Sequence, residues 1–503
     1  MDKRVILWFR NDLRLDDNES LLAAVQHGHV IPLYVFDDRT YEGATGLFGF
    51  RKTGVHRARF LLEAVADLRR RLRDLGSDLV VRVGRTEDVI EQLAQEVESS
   101  WVFCNRERTH EEVRVQDAVE QRLWNIGQEL RYNRGKMLYH TADLPFPVSQ
   151  TPDVFSQFRK EVERFVPVRE PLDAPAELPV LPEGLDPGEL PTLRDFGHDI
   201  TDVDVRSALH FEGGETAALA RLRYYLWDSD RARTYKETRN GLLGGDYSTK
   251  FSPWLAAGCI SPKRIYHELR RYEGERGAND STYWIFFELL WRDFFRLMAK
   301  KHRNDIFLRE GPKGQRTPDW STDRRAFDRW ARGETGVPFV DANMRELNAT
   351  GWMSNRGRQN AASFLARDLK LDWRMGAEYF ESQLLDYDVA SNWCNWNYVA
   401  GVGSDPREDR YFNILKQALR YDPDGTFVRT WVPELENVPT ELLNRPDRLS
   451  SDQQRQYGVR LGVDYPNAAV DIARWDKSGD RRTRGASRQS QARRRGRQRS
   501  SAW

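Results

Sequence analysis

The sequence predicts an α/β domain with a doubly wound parallel sheet at the N-terminus, followed by an all-α domain. Two observations carry that reading. Short apolar runs alternate with amphipathic helical stretches up to about residue 135, whereas from Glu215 strand patterns vanish and helical ones succeed each other to about Leu443. A third, the Pro-, Asp-, Glu- and Gly-rich stretch from 141 to 205, marks a linker laid over a surface between them. The expected organisation is an α/β domain over 1–135, a linker over 136–205, a helical domain over 206–445 and a polar extension with a basic tail over 446–503.

Val5–Phe9 (VILWF) is apolar throughout, as a strand buried on both faces must be, and ends in the turn-rich NDLRLDDN. Glu19–Gln26 reads as a helix stopped by Gly28, and Val30–Phe36 as the next strand. Phe60–Leu75 is a long amphipathic helix closed by Gly76; Leu79–Val83 and Trp101–Phe103 are strands flanking a helix at Ile90–Val97. No G-x-G-x-x-G follows the first strand, and the Gly49–Thr53 segment has the wrong spacing for a phosphate loop, so this is not an ordinary dinucleotide or NTP binder. One helix is expected inside the linker, at Phe155–Phe165.

At 503 residues the chain has room for two cores. No apolar run approaches a membrane span and no signal peptide is recognisable, which together with three widely spaced cysteines (Cys104, Cys259, Cys394) predicts a cytoplasmic protein with reduced thiols and no metal or iron–sulfur site. Net charge is +1, but ten of the 78 basic residues and one of the 77 acidic ones lie between Lys477 and Trp503. The rest of the chain is therefore mildly acidic and must bind any nucleic acid through a local patch, the tail being either a helper or an inert end. Sixteen tryptophans, mostly in the second half, exceed what core filling ordinarily uses.

Polar residues that can do chemistry sit in three stretches. In Gly351–Tyr398, Asn355, Arg356 and Arg358 crowd one segment, and Asp386, Asp388 and Asn392 run into an aromatic cluster, with apolar residues at helical spacing between. Such a wall suits a large planar ligand with polar edges, or else a helical core whose carboxylates pair with arginines. Asp246–Leu255 (DYSTKFSPWL) places three hydroxyls and a lysine at a helix start, which is a diphosphate site or a plain helix cap. Tyr283–Arg296 puts Glu288, Trp291 and Arg292 among aromatics; Glu288 and Arg292 are four apart and form a surface pair, or Glu288 and Trp291 edge a pocket.

WFRNDLRLDDN, STKFSPWLAAGCISP, ELLWRDFFR, GWMSNRGRQ, DWRMGAEYFESQLLDYD and NWNY stand in the order and approximate spacing of the photolyase/cryptochrome flavoproteins. YKETRNG, SNRGRQ and DPREDRYFN resemble the cryptochrome-DASH branch, and the likeness spans about residues 4 to 435. It implies an antenna domain and a helical domain that holds FAD. Tyr235, Ser248, Thr249, Lys250, Phe251 and Ser252 are then expected at its phosphates and ribityl chain, with Asn355, Arg358, Asp386 and Asp388 beside it and Asn392 at flavin N5. A neutral amide there serves either redox state without setting a negative charge against the reduced ring. Trp396, Trp373 and Trp320 match the family's electron-transfer chain, which runs to the surface; Trp330 lies nearby without matching it.

The resemblance also implies the substrate. Glu288, Trp291, Arg292, Asn355, Arg356, Gln359, Trp396 and Tyr398 are the expected DNA and lesion contacts, with Trp291 and Tyr398 covering the lesion's faces. Relatives that repair (6-4) photoproducts carry two histidines where this chain has Asn355 and Gln359, so proton delivery is missing and cyclobutane pyrimidine dimers are the expected substrate. A light-driven lyase on dimers in single-stranded DNA, acting as a monomer, is the leading expectation; a blue-light photoreceptor without repair is the alternative. Glu111 and Glu112 align with an acidic pair that contacts 5,10-methenyltetrahydrofolate in relatives, which makes that folate the expected antenna; they are otherwise helix-start glutamates. Cys394 and Val399 replace small glycines beside Trp396 and narrow the pocket wall.

Overall fold

The computed structural model describes residues 3–199, 202–314, 318–403 and 411–476. The first third is a strand–helix alternation: β1 (Arg4–Phe9), α1 (Glu19–His27), β2 (His29–Phe36), α2 (Val55–Asp74), β3 (Val80–Val83), α3 (Thr86–Glu96), β4 (Trp101–Asn105), α4 (His110–Asn125) and β5 (Glu129–Asn133). All pairings are parallel and the strand order is β3-β2-β1-β4-β5. Connections run outward from β1 on one side and from β4 on the other, so the topology reverses between those two strands. In open parallel sheets ligands settle at the carboxyl ends of the strands at that reversal.

Alternation along β1 sorts the two faces. Ile6 and Trp8 join a small core under α3 and α4 with Ile90, Leu93, Val119 and Leu123. Val5, Leu7 and Phe9 join the main core, which continues without a break into the helical body. The proline-rich stretch covers the sheet's edge: Val81 donates its amide to Pro187 O at 2.8 Å and Leu178 donates to Leu75 O at 2.8 Å. An exposed edge strand is thereby closed to outside pairing. The linker helix forms as expected, as α5 (Phe155–Phe165).

The helical body follows: α6 (Glu215–Arg223), α7 (Tyr235–Thr238), α8 (Ser252–Ala257), α9 (Pro262–Arg276), α10 (Asp280–His302), α11 (Arg324–Arg332), α12 (Pro338–Thr350), α13 (Asn355–Ser363), α14 (Trp373–Gln383) and α15 (Val389–Ala400). Sheet and helices meet over buried polar contacts. Arg14 is 1% exposed and donates to Gly258 O, Asp17 O and Gly135 O, each at 2.9 Å. Gly258, at φ +72°, ends α8; a Cβ there would lie 2.1 Å from Asn11 O, so the chains touch backbone to backbone. Residues 446–476 pack back on the helical body: the buried Tyr465 donates to Asp341 Oδ2 at 2.6 Å, and Trp475 is buried. The basic tail lies outside the described residues.

Candidate active site and a second cavity

The start of α8, the α13–α15 region and α10 enclose a cavity of ≈ 310 Å³. Of the residues expected at a cofactor or lesion, Tyr235, Ser248–Ser252, Glu288, Arg292, Asn355, Arg358, Gln359, Asp386, Asp388, Asn392 and Trp396 all reach its lining. Helix geometry explains why. Ser354 caps α13 by accepting from Gly357 N at 3.0 Å, which fixes Asn355, Arg358 and Gln359 in the first turns. Asp388 caps α15 by accepting from Ser391 N at 2.8 Å, which sets Asn392 and Trp396 one turn apart.

Arg358 pairs with Asp386 at 2.8 Å, and Ser252 donates to the same carboxylate at 2.7 Å. Asp388, also on the lining, has a different partner. It pairs not with Arg358 but with Arg296, at 2.5 Å, because α10 runs directly under the α15 N-terminus. Burial alone would raise its carboxyl, but the charges of Arg296 and then Arg292 outweigh burial and hold it far below the usual range. Asn392 donates to Ala377 O at 3.0 Å and is buried, so the amide is fixed while its oxygen has no donor among the described residues.

Among the described residues the buried Lys250 Nζ on this lining has no hydrogen-bond partner, and Tyr247 Oη and Trp352 Nε1 have none beyond each other. Lys250 is 2% exposed with φ +54°, its ammonium 3.5 Å from the Tyr247 ring centroid. Burial pushes that ammonium well below its normal range despite the pull of Glu346. Orphaned donors around a chamber are what a polar cofactor satisfies on entry. The arrangement fits a flavin dinucleotide, with hydroxyls and amides for phosphates, an arginine–aspartate pair and a fixed amide for ring edges, and aromatic walls.

Several expected lesion contacts lie elsewhere. Trp291 is not on the lining; its ring stacks on Phe155 at 3.7 Å and 8°, because α5 lies across α10. Tyr398 meets Trp291 edge-on at 6.1 Å and is likewise off the lining. Arg292 is on the lining, where its guanidinium donates to Lys136 O (2.9 Å) and Leu255 O (3.1 Å). Arg356 donates to Gln359 and Asn240. Glu288 pairs with Arg239 at 2.5 Å; burial raises its carboxyl, opposed by Arg239. Sequence reasoning missed Arg239, although it stands one turn after Tyr235 in the quoted YKETRNG.

Trp396, Trp373 and Trp320 are all buried, at 2%, 0% and 5% exposure, so even the outermost one is covered. Trp373 donates to Arg309 O at 3.1 Å, and the Arg309 guanidinium lies 5.9 Å from the Trp320 ring. Trp330 is in ring contact with Trp396 at 6.3 Å.

A larger cavity, ≈ 940 Å³, opens at the carboxyl ends of β1 and β4 and extends to α10 and α15. Glu111 and Glu112 both line it, but differently: Glu111 is outward and pairs with Lys52 at 2.5 Å, whereas Glu112 accepts from Asn11 at 3.2 Å and from Thr109. Burial, then Glu107, raises the Glu112 carboxyl. Tyr387 and Asp388 face both cavities and form their shared wall.

A doubly wound sheet joined to a helical socket with these residues defines a flavin-binding protein with a second cavity at the sheet edge. Comparison with known proteins agrees. Residues 5–178 match the family described as DNA photolyase, and residues 284–484 match the FAD binding domain of DNA photolyase. Cryptochrome DASH of Gloeobacter violaceus is 52% identical over 93% of each chain, and that of Natronomonas pharaonis 52% over 94% of this chain and 98% of that one. The crystal structure of the Synechocystis sp. PCC6803 cryptochrome aligns with TM-score 0.91 at 48% identity, covering 95% of this chain and 98% of that one. A class III photolyase from Agrobacterium tumefaciens aligns at 0.81 and 30%, covering 95% and 96%. The chain belongs to the photolyase/cryptochrome family, in its cryptochrome-DASH branch. Among the described residues no helix is long and apolar enough to cross a membrane, and the three cysteines are free and buried.

Proposed function

We propose that the protein is a blue-light-driven lyase that splits cyclobutane pyrimidine dimers in DNA, with single strands preferred. One observation carries this. The chamber that holds Ser252, Arg358, Asp386 and Asn392 also holds Glu288, Asn355, Gln359 and Trp396, so the cofactor wall and a polar edge for a base share one space. Bound there, FAD would supply light-driven one-electron chemistry.

The chain's residues do the rest. Ser248, Thr249 and Ser252, at the head of α8, supply hydroxyls for phosphate. Arg358 and Asp386 lock each other and would hold the edge of the flavin ring, and Asn392, tied to Ala377 O, would present its amide to that ring. Glu288 hydrogen-bonds the imide edge of the dimer, Asn355 and Gln359 its remaining polar edge, and Trp396, Trp373 and Trp320 relay reducing electrons. No imidazole stands at Asn355 or Gln359, so a reaction that needs proton delivery is not served. The dimer must leave its stack to enter, which costs least in single strands. In the second cavity, Glu112 would accept from the amino-pyrimidine edge of a methenyltetrahydrofolate antenna. The protein works as a monomer in a reducing compartment such as the cytoplasm.

Matched oligonucleotides carrying one dimer, single- and double-stranded, test the preference: faster repair of the single strand is expected, and equal rates would refute it. The Trp291–Phe155 stack favours a second reading, a blue-light photoreceptor that binds DNA or a partner without repair, because it removes one expected cover of the lesion.

A further inference from the structure

Tyr387 lies between the end of α14 and the start of α15, in the wall that the two cavities share. Its hydroxyl donates to Glu381 Oε2 at 2.9 Å, and its oxygen takes a side-chain hydrogen bond from the indole N–H of Trp393. Trp393 in turn meets Trp373 edge-on, with ring centroids 5.7 Å apart at 79°. These contacts run without a gap from the middle of the tryptophan series to a phenol with a carboxylate at its far side.

That carboxylate sets Tyr387 apart, because a phenol yields an electron readily only when a base takes its proton. The indole N–H of Trp373 ends on Arg309 O at 3.1 Å and that of Trp320 on Ala366 O at 2.9 Å, and a carbonyl takes no proton. Tyr379 reaches the same aromatic cluster through Trp330, at 5.9 Å, but its hydroxyl ends on Asn348 Oδ1 and Ala331 O. Burial raises the Glu381 carboxyl from 4.5 to about 7; Arg57, the Tyr387 hydroxyl and Lys52 pull it down and Glu111 pushes it up. Glu381 therefore gains and loses a proton near neutrality. The Arg57 guanidinium, 4.8 Å from the Tyr387 ring centroid, opposes a positive charge on that ring, so electron and proton leave together. Tyr387 is only partly buried and, with Trp393, lines the larger cavity, which gives a small reductant a way in.

We propose that Tyr387 is a second electron donor to the tryptophan relay, acting through Trp393 and Trp373, with Glu381 as the acceptor of its proton. The inference rests on the reading that the smaller cavity holds a flavin reduced through Trp396 and Trp373. Light draws one electron from Trp396 to that flavin, and the electron hole passes to Trp373 and on to Trp393. Tyr387 fills it with one electron, and its O–H bond breaks as the proton crosses to the Glu381 carboxylate. A neutral tyrosyl radical and a carboxylic acid result. A thiolate in the larger cavity then returns one electron, the proton comes back from Glu381, and a thiyl radical leaves. The thiolate has lost one electron and the flavin has gained one.

The test uses full-length protein loaded with oxidised FAD, illuminated with blue light without reductant and freeze-quenched for EPR. Ring-deuterated tyrosine marks tyrosyl radicals. Wild type gives a radical whose hyperfine pattern collapses on deuteration. Its yield falls at least fivefold in Tyr387→Phe, Glu381→Gln and Trp393→Phe and stays unchanged in Tyr379→Phe. A second measurement needs no variant: in heavy water the wild-type radical forms at least twofold more slowly, because a proton moves with the electron. With dithiothreitol present, Trp320→Phe is still photoreduced, and Trp320→Phe/Tyr387→Phe is at least fivefold slower. A tyrosyl yield that Tyr387→Phe leaves intact, or the lack of a solvent isotope effect, would overturn the proposal. Photoreduction with tryptophanyl radicals alone would overturn this donor and leave the flavin reading standing, whereas a protein that takes up no FAD would sink both.

Discussion

Asp386 and Asp388 stand two residues apart and serve different partners, Arg358 across the chamber and Arg296 beneath it. Asp386 is 7% exposed, so stripping its partner with Arg358→Met strands a buried charge. The expected loss is about 3–5 kcal/mol by urea unfolding, with Asp386→Asn/Arg358→Met together costing clearly less. Equal losses in both would remove the pair's significance. Glu346 makes a second residue-scale case. Burial raises its carboxyl from 4.5 to about 8, against the pull of Lys250 and Arg358. The folded flavin-free protein therefore keeps a proton that the unfolded chain releases. This contribution is full below pH 4.5 and is lost as pH rises through about 8. Lys250, lowered by its burial, works in the opposite direction, so the comparison that counts is wild type against Glu346→Gln. Between pH 5 and 8 the wild type should lose a few kcal/mol more than the variant; parallel stability curves would contradict this.

At the scale of elements, the socket depends on how α14 lies against α15. A Cβ on Gly376 would sit 2.2 Å from Trp396 Cη2, so the helices close on each other through a missing side chain. Gly376→Ala should cost about 1–3 kcal/mol through overpacking, beyond the ~1 kcal/mol that the better helix former returns. Denaturant midpoints of the variant test it; a more stable variant would show that the contact yields freely. These helices were legible in the sequence because Phe380, Leu384 and Leu385 recur at helical spacing around the polar ends. The start of α2 at Val55 was not, because its first turn (VHRAR) carries little apolar periodicity. Likewise β5 (ELRYN) is too polar to read as a strand; only pairing with β4 makes it one. The Asp388–Arg296 pair escaped notice for a related reason. Arg296 looks in sequence like one of several charges on an aromatic helix, and only the packing of α10 under α15 selects it.

Across the whole molecule the sheet and the helices are tied by buried polar contacts rather than by a hinge. Arg14 reaches three carbonyls from both parts, Lys263 pairs with the buried Asp17 at 2.7 Å, and Glu215 accepts from Leu15 N at 2.8 Å. Val5, Leu7 and Phe9 share one continuous core with the helical body. A single unfolding transition is therefore expected by calorimetry, and Arg14→Met should lower its midpoint by several degrees. Two separate transitions in the wild type would contradict a shared core. The division into a sheet and a helical body was readable from apolar periodicity alone, and the residues gathered around the smaller cavity from motif order. What sequence could not give is the wall common to both cavities, since Tyr387 and Asp388 face each other's chambers only after folding. The central claim, that one chamber joins a flavin to a flipped pyrimidine dimer, has a direct measurement. Purified protein with reduced FAD is illuminated with blue light in the presence of a dimer-containing oligothymidylate, and thymine absorbance near 260 nm is followed. The account predicts light-dependent recovery that falls sharply in Glu288→Ala; no recovery from protein carrying reduced FAD would contradict it.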